Sequence, residues 1–156
     1  MYRAIRSRQR GTTTVELAMV APLLIFLLFG IIEFGLMVKD LVGINQAARE
    51  GVRCAAVGAT PTTIGARIDA SAPTIDASQL TKLHEYRSYD QDYGTWSSWT
   101  VLGVEDDENN AQQGDQIRIT VSYPHQLVTG GVFAYLADDP EHGTIGLETA
   151  IIMRRE

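Results

Sequence analysis

The side chains of this chain that could do chemistry are few and far apart. Its three histidines, His84, His125 and His142, share no spacing typical of metal ligands, and its one cysteine is Cys54. The sequence contains no Gly-x-Ser-x-Gly elbow, phosphate-binding loop or dinucleotide fingerprint. It therefore predicts neither an enzyme nor a bound metal or cofactor, and we expect Cys54 to be a small buried residue on a helix.

Two further clusters could bind something, but each has a simpler interpretation. The acidic run at residues 105–110 could attract calcium, yet it lacks the glycine and the terminal glutamate of an EF-hand loop. We therefore expect a solvated loop there. The segment 86–99 holds three tyrosines and two tryptophans, which could form an adhesive or sugar-binding face. A sheet core with a partly exposed edge is the simpler expectation for these rings.

The strongest pattern is a basic tip followed by an apolar run of membrane length. Residues 1–11 carry four arginines and no acid, and 18 of the 22 residues at 17–38 are hydrophobic. A helix of 22 residues reaches about 33 Å, which is enough to cross a hydrocarbon core. Its Leu, Ile, Phe and Val residues favour insertion by about 4 to 8 kcal/mol, against a cost of about 3 kcal/mol for Glu33. We therefore predict a transmembrane helix with the arginines on the cytoplasmic side.

Four residues in or beside this run are candidates for a function. Pro22 removes one helical hydrogen bond and predicts a kink in the span. Glu33 lies toward the C-terminal end of the run. Two interpretations stay open for it: its side chain snorkels to the outer interface, or it contacts another subunit. Glu16 stands at the start of the helix, where the helix dipole favours an acid. Gly11 precedes it at the spacing Gly-x-x-x-x-Glu, and a glycine lets an extended leader approach a protease closely.

The sequence RGTTTVEL at residues 10–17 resembles the processing site of type IV prepilins. The longer stretch 10–58 is similar to the TadE family, pilin-like proteins of the tight-adherence (Flp) pilus system. The likeness rests on RGTTTVEL, the proline inside the apolar run, FGIIEFG and AAREG, and the ending AIIMRRE is similar as well. The resemblance implies cleavage by a prepilin peptidase after Gly11, which makes Thr12 the new N-terminus. It also implies that Glu16 pairs with the Thr12 α-amine of a neighbouring subunit.

The apolar periodicity continues beyond the membrane run. One stripe with spacings of three and four comprises Met37, Leu41, Ile44, Ala48, Val52 and Ala55. This predicts a single helix from Thr12 to about Val57, stopped by Gly58, whose second half packs on the protein's own domain. A short helix at 62–70 and a loop around Pro73 are expected next.

The clearest strands lie in the last quarter of the chain. Apolar and polar residues alternate over 117–123, where Pro124 is expected to end the run, and alternate again over 145–153. The two strands are expected to pair and so to tie down the C-terminus. The predicted fold class is α+β: a long N-terminal transmembrane and amphipathic helix, followed by a small antiparallel β-sheet domain.

These elements predict three segments and one function. The segments are a basic cytoplasmic leader at 1–11 that is removed, a helix at 12–58 embedded in the membrane to about residue 38, and an extracytoplasmic domain at 59–156. Without the four leader arginines, the chain has nine basic and 19 acidic residues, which gives a formal charge of −10. This charge argues against nucleic-acid binding.

The resemblance implies a minor pilin-like component needed for assembly of the pilus. Its partners would be prepilin peptidase, other pilins and the inner-membrane assembly platform. The protein would be single-pass in the cytoplasmic membrane, with its C-terminal domain outside, or would enter the pilus. The alternative that stays open is an uncleaved single-span protein that presents a binding or adhesive domain.

Overall fold

The chain folds as one long helix that carries a small helix and an antiparallel sheet along its C-terminal half. A computed structural model describes residues 6–129, 133–139 and 141–156, with the backbone alone for 6–11 and 134. The helices are α1 (Arg6–Ala56) and α2 (Pro61–Ser71), with short 3₁₀ helices at Ala77–Gln79 and Ala134–Leu136. The strands are β1 (Thr81–Arg87), β2 (Tyr89–Asp90), β3 (Thr95–Trp96), β4 (Thr100–Val101), β5 (Val104–Glu105), β6 (Glu108–Asn109), β7 (Gln116–Gln126) and β8 (Thr144–Arg154). The predicted α+β class is confirmed.

Helix α1 has 51 residues and is therefore about 75 Å long. In this uncleaved chain it begins at Arg6 rather than at Thr12, and the leader residues 1–5 lie outside the described part. Pro22 lies inside the helix. The helix ends at Ala56, and Gly58 follows with a φ of +97°, a backbone conformation that glycine adopts without steric cost. The predicted stop at Gly58 is confirmed.

The main sheet has four antiparallel strands in the order β4-β1-β7-β8. The predicted pairing of the last two strands is confirmed, with Ile119 opposite Ile151 at the centre. The prediction that Pro124 ends its strand is wrong, since β7 continues to Gln126 and Pro124 lies opposite Gly146. Because β1 covers β7 only as far as Ser122, one side of β7 is unpaired at Pro124, and a residue without an N–H is tolerated there.

The core lies between the sheet and the second half of α1. The helix contributes Ile44, Ala48, Val52 and Ala55, which are all buried. They pack with Ile117, Ile119 and Val121 of β7 and with Ile64 and Ile68 of α2. The predicted stripe therefore does pack on the protein's own domain, as expected. Leu41 is the exception in that stripe, because it is 40% exposed.

The acidic run is a structured hairpin rather than a plain solvated loop. Strands β5 and β6 pair around Asp106 and Asp107, which both have positive φ. Asn109, the last residue of β6, is buried. Its side-chain amide donates to the carbonyl oxygens of Ala55 and Ala59 at 2.8 and 3.0 Å. The hairpin is thereby attached to the C-terminal end of α1, where the Ala55 carbonyl also accepts from the Gly58 amide.

The two tryptophans of the aromatic segment lie against arginines, not in the core. The Trp99 ring lies between the guanidinium groups of Arg87 and Arg118, at 4.5 and 4.1 Å from the ring centroid. Trp96 contacts Arg87 as well, at 5.0 Å. These cation–π contacts lie on the outer face of β1 and β7, where both tryptophans are half-buried. Of the five rings, Tyr86 packs against the core, so the expected sheet core holds for Tyr86 and the expected partly exposed edge for the tryptophans.

Candidate functional site

The first half of α1 exposes most of its large apolar side chains. Its most apolar 18-residue window has a mean hydropathy of 2.6, and none of that window is buried inside the structure. Large side chains such as Met19, Leu23 and Ile31 are between 63% and 77% exposed. An apolar surface of this extent is not left in water by a stable protein. Among the described residues, this is the one helix long and apolar enough to cross a membrane.

The candidate processing site lies at the start of this surface. Gly11 falls within the helical backbone, and the side chains of Thr12 and Glu16 are exposed. Thr12 and Glu16 are four residues apart, so they lie on the same face of the helix one turn from each other. A terminal amine created at Thr12 would therefore form on the face that already carries the Glu16 carboxylate.

Glu33 is the one glutamate of the apolar run, and it is turned inward. Only 3% of its surface is exposed. Its carboxylate accepts hydrogen bonds from the backbone amides of Val128 and Thr129 at 2.9 and 3.0 Å, and from the Thr129 hydroxyl at 2.6 Å. The expected snorkelling does not describe this arrangement, whereas a contact of Glu33 with another subunit stays a prediction. Glu33 instead holds the turn after β7 against the membrane end of the helix.

A buried histidine links this glutamate to a second acid on α1. His125 Nδ1 lies 2.7 Å from Asp40 Oδ2, and its Nε2 lies 3.7 Å from Glu33 Oε1. Lys39 contacts the other Asp40 oxygen at 2.9 Å. A carboxylate can only accept a hydrogen bond, so Nδ1 is the donor to Asp40. We call Glu33, Asp40 and His125 the helix–sheet cluster.

The helix–sheet cluster is built to position elements rather than to react. All three of its side chains are less than 10% exposed, so a substrate has no access to the imidazole. Buried carboxylates are tolerated only when they are hydrogen-bonded or paired, and both acids here meet that condition. Since the two acids lie on α1 and His125 lies on β7, the cluster fixes the height of the sheet along the helix.

The domain also contacts α1 on the N-terminal side of the cluster. The Phe133 ring is 3% exposed and lies 5.2 Å from the ring of Phe26, and it also reaches Gly30. On the C-terminal side of the cluster, the Asn45 amide donates to Thr149 Oγ1 of β8 at 3.2 Å. One side of α1 is therefore lined by the domain from Phe26 upward. This lined part includes residues 26–38, which are more than half of the 22-residue run that was predicted to lie in the membrane.

The remaining candidates form no site of their own. Among the residues that the structure describes, no three His, Cys, Asp or Glu side chains lie close enough to hold a metal ion. Cys54 lies on α1 and packs against the core, as expected, but it is half-buried rather than buried. The helix–sheet cluster was not predicted from the sequence, where its one signal was the charge of Glu33 inside an otherwise apolar run.

The model of the TadE-like protein family matches residues 11–53. No curated protein and no solved structure matches the chain. The family match confirms the resemblance to TadE proteins, and it covers Gly11, the apolar run and the α1 members of the helix–sheet cluster. Together with the apolar helix it indicates a membrane protein associated with the tight-adherence pilus system. The match ends before α2 and the sheet, which are described by the structure alone.

Proposed function

We propose that the protein is a minor pilin-like component of a tight-adherence pilus, matured after Gly11 and assembled through α1. The observation that carries this proposal is the uncovered apolar surface of α1 directly after a Gly-x-x-x-x-Glu junction. A helix with one side fixed to its own domain and the other apolar can be held in a bilayer or among helices of the same kind. Those are the two environments that a pilin meets before and after assembly.

The proposed maturation leaves a chain of 145 residues that begins at Thr12 and has lost the four leader arginines. Removing that positive charge from the helix end eases extraction of the helix from the membrane. The proposed partner of Glu16 is the Thr12 α-amine of a neighbouring subunit, an ion pair that a low dielectric strengthens. Prepilin peptidase, other pilins and the inner-membrane platform are the proposed partners. In this arrangement the sheet domain is extracytoplasmic.

Mass spectrometry of the membrane-purified protein tests the processing step. We expect the native chain to begin at Thr12 in cells that contain the peptidase and at Met1 in cells that lack it. Gly11→Leu should leave the precursor uncut, because a bulky side chain blocks close approach of the backbone to the protease. An intact Met1 terminus on the native chain in peptidase-containing cells contradicts the proposal and favours an uncleaved membrane anchor.

A second experiment separates processing from assembly. Glu16→Gln keeps the size of the side chain and removes its charge, so we expect the variant to be cut after Gly11 but to be lost from assembled pili. Glu50→Gln is the matched control, since Glu50 lies on the same helix but pairs with Arg67 of α2 inside the domain. If both variants support equal piliation, Glu16 does not act in assembly.

A further inference from the structure

The segment after β7 carries an apolar group of side chains beside the membrane helix. We call Val128, Phe133, Tyr135 and Leu136 the apolar tip. Phe133 is buried on α1 against Phe26, whereas Val128 and Tyr135 are 69% and 73% exposed. The rings of Phe133 and Tyr135 lie 6.4 Å apart, so the exposed part of the tip continues the surface that Phe133 forms on the helix.

The charged leader residues at the N-terminal end of α1 limit where the bilayer can lie along the helix. Arg10 is the last arginine of the leader, and Leu17 is the first residue of the apolar run. A hydrocarbon core takes about 20 helical residues, so a span that begins between residues 11 and 17 ends between about 30 and 36. Phe26 lies within the span for every one of these placements, and Phe133 is in contact with it.

The helix–sheet cluster selects among these placements. A boundary beyond Glu33 would put its carboxylate and the polar turn at Val128 and Thr129 inside hydrocarbon, where each polar group is costly. The boundary therefore lies near residues 30–32, just below Glu33. Phe26 is then about 6 to 9 Å inside it.

We propose that the apolar tip inserts into the headgroup–acyl boundary of the leaflet on the side of the sheet domain. Side chains that anchor a protein at a membrane interface reach about 5 to 10 Å into it, which is the depth that contact with Phe26 gives to Phe133. A tyrosine such as Tyr135 is suited to this region because its ring is apolar and its hydroxyl is polar. Asp138, which follows the tip, is exposed and remains on the water side.

The tip is thus a second membrane contact next to the span, and the two hold the sheet domain against the bilayer at a fixed angle. This inference requires only that α1 crosses a membrane. It does not depend on cleavage after Gly11, because the span and the tip are present in both forms of the chain. Its failure would therefore leave the proposed maturation untouched.

Depth-dependent quenching in lipid nanodiscs tests the insertion. The full uncleaved chain, with Cys54→Ser as background, is labelled with a fluorophore at Tyr135→Cys and is reconstituted as a single copy per disc. The discs contain phosphatidylethanolamine and phosphatidylglycerol, with a spin label at the fifth acyl carbon of some lipids. Tyr93→Cys is the matched control, since Tyr93 is 82% exposed and lies on the β2–β3 hairpin at the other end of the domain.

We expect the label at position 135 to be quenched at least about fivefold more strongly than the label at 93. The tip follows β7 at its Gln126 end, whereas β1 leads into the β2–β3 hairpin at the Gln116 end, about 35 Å away along the strand. Leu136→Cys should behave like the label at 135, which guards against a local effect of one substitution. Quenching at 135 and 136 that stays within about twofold of the control overturns the proposal. A single copy per disc excludes burial by a second copy of this chain, so strong quenching reports lipid alone.

Discussion

The contact between Glu33 and the turn after β7 can be broken with one substitution. Glu33→Ala removes the acceptor for the Val128 and Thr129 amides and for the Thr129 hydroxyl. A donor left without its partner costs about 1 to 3 kcal/mol, and a hydrogen bond to a charged group is at the strong end of the usual range. Because this turn is only partly buried, water can reach the freed amides, and the lower part of that range applies to each of them.

The expected destabilisation of the turn is therefore about 2 to 4 kcal/mol. A difference of 1.4 kcal/mol changes an opening equilibrium about tenfold, so the Val128 and Thr129 amides should exchange hydrogen roughly 30-fold faster or more. Thr129→Val removes one hydrogen bond of the three and should speed exchange of these amides only severalfold. Thr129→Ser keeps the hydroxyl and should leave the exchange rate unchanged.

Amide hydrogen exchange on the full chain in detergent or nanodiscs measures this effect. Glu50→Gln serves as the control, since it alters another α1 glutamate that contacts Arg67 far from the turn. Protection that stays within about threefold of the native value in Glu33→Ala would refute the reasoning. That result would mean that the turn is held by Phe133 and by backbone contacts, with no need of the carboxylate.

Two further predictions concern the stability of the sheet domain. An added Cβ at Gly51 would lie 2.7 Å from Ile68 Cγ1, whereas one at Gly65 meets nothing within 4 Å. Gly51→Ala should therefore lower Tm by about 2 to 8 °C through overpacking, and Gly65→Ala should raise it slightly through helix propensity; thermal shifts of the same sign would contradict this. Burial lowers the pKa of His84 below its ordinary value of 6.5, with Lys82 adding to the effect. The unfolded chain then binds a proton first as the pH falls, so the fold loses stability as the pH drops below about 6.5. Denaturant unfolding at pH 7.5 and pH 5 should show a larger loss for the native chain than for His84→Asn, and a loss independent of this substitution would refute the assignment.

Periodic features of this protein were predictable from the sequence. The apolar stripe of α1 repeats every three to four residues and the residues of β7 and β8 alternate, because each pattern reports which face of a regular element is buried. Both helices, the stop at Gly58 and the β7–β8 pair follow from such local rules. The membrane run was predictable for a related reason, since its length and composition act over many residues.

Single polar residues that become buried could not be predicted in the same way. The partners of Glu33, Asp40 and Asn109 lie 95, 85 and 54 residues away in the chain, and no local pattern indicates such pairs. The expected surroundings of Glu33 were therefore lipid or a neighbouring subunit, and its hydrogen bonds to Val128 and Thr129 were not predicted. The stacking of Trp99 between Arg87 and Arg118 was unpredictable for a similar reason, because it depends on how two strands and the segment before β4 come together.

The polar contacts between α1 and the sheet have a mechanical consequence. Three of them lie at successive heights along the helix, at Glu33, Asp40 and Asn45, and join α1 to β7, to β8 or to the turn after β7. A force that pulls the membrane end of α1 along its axis acts parallel to this row of contacts. It therefore loads all three in shear at once, whereas a force that peels the helix sideways would break them one after another. The joint is arranged to resist tension along the helix more strongly than bending away from the sheet.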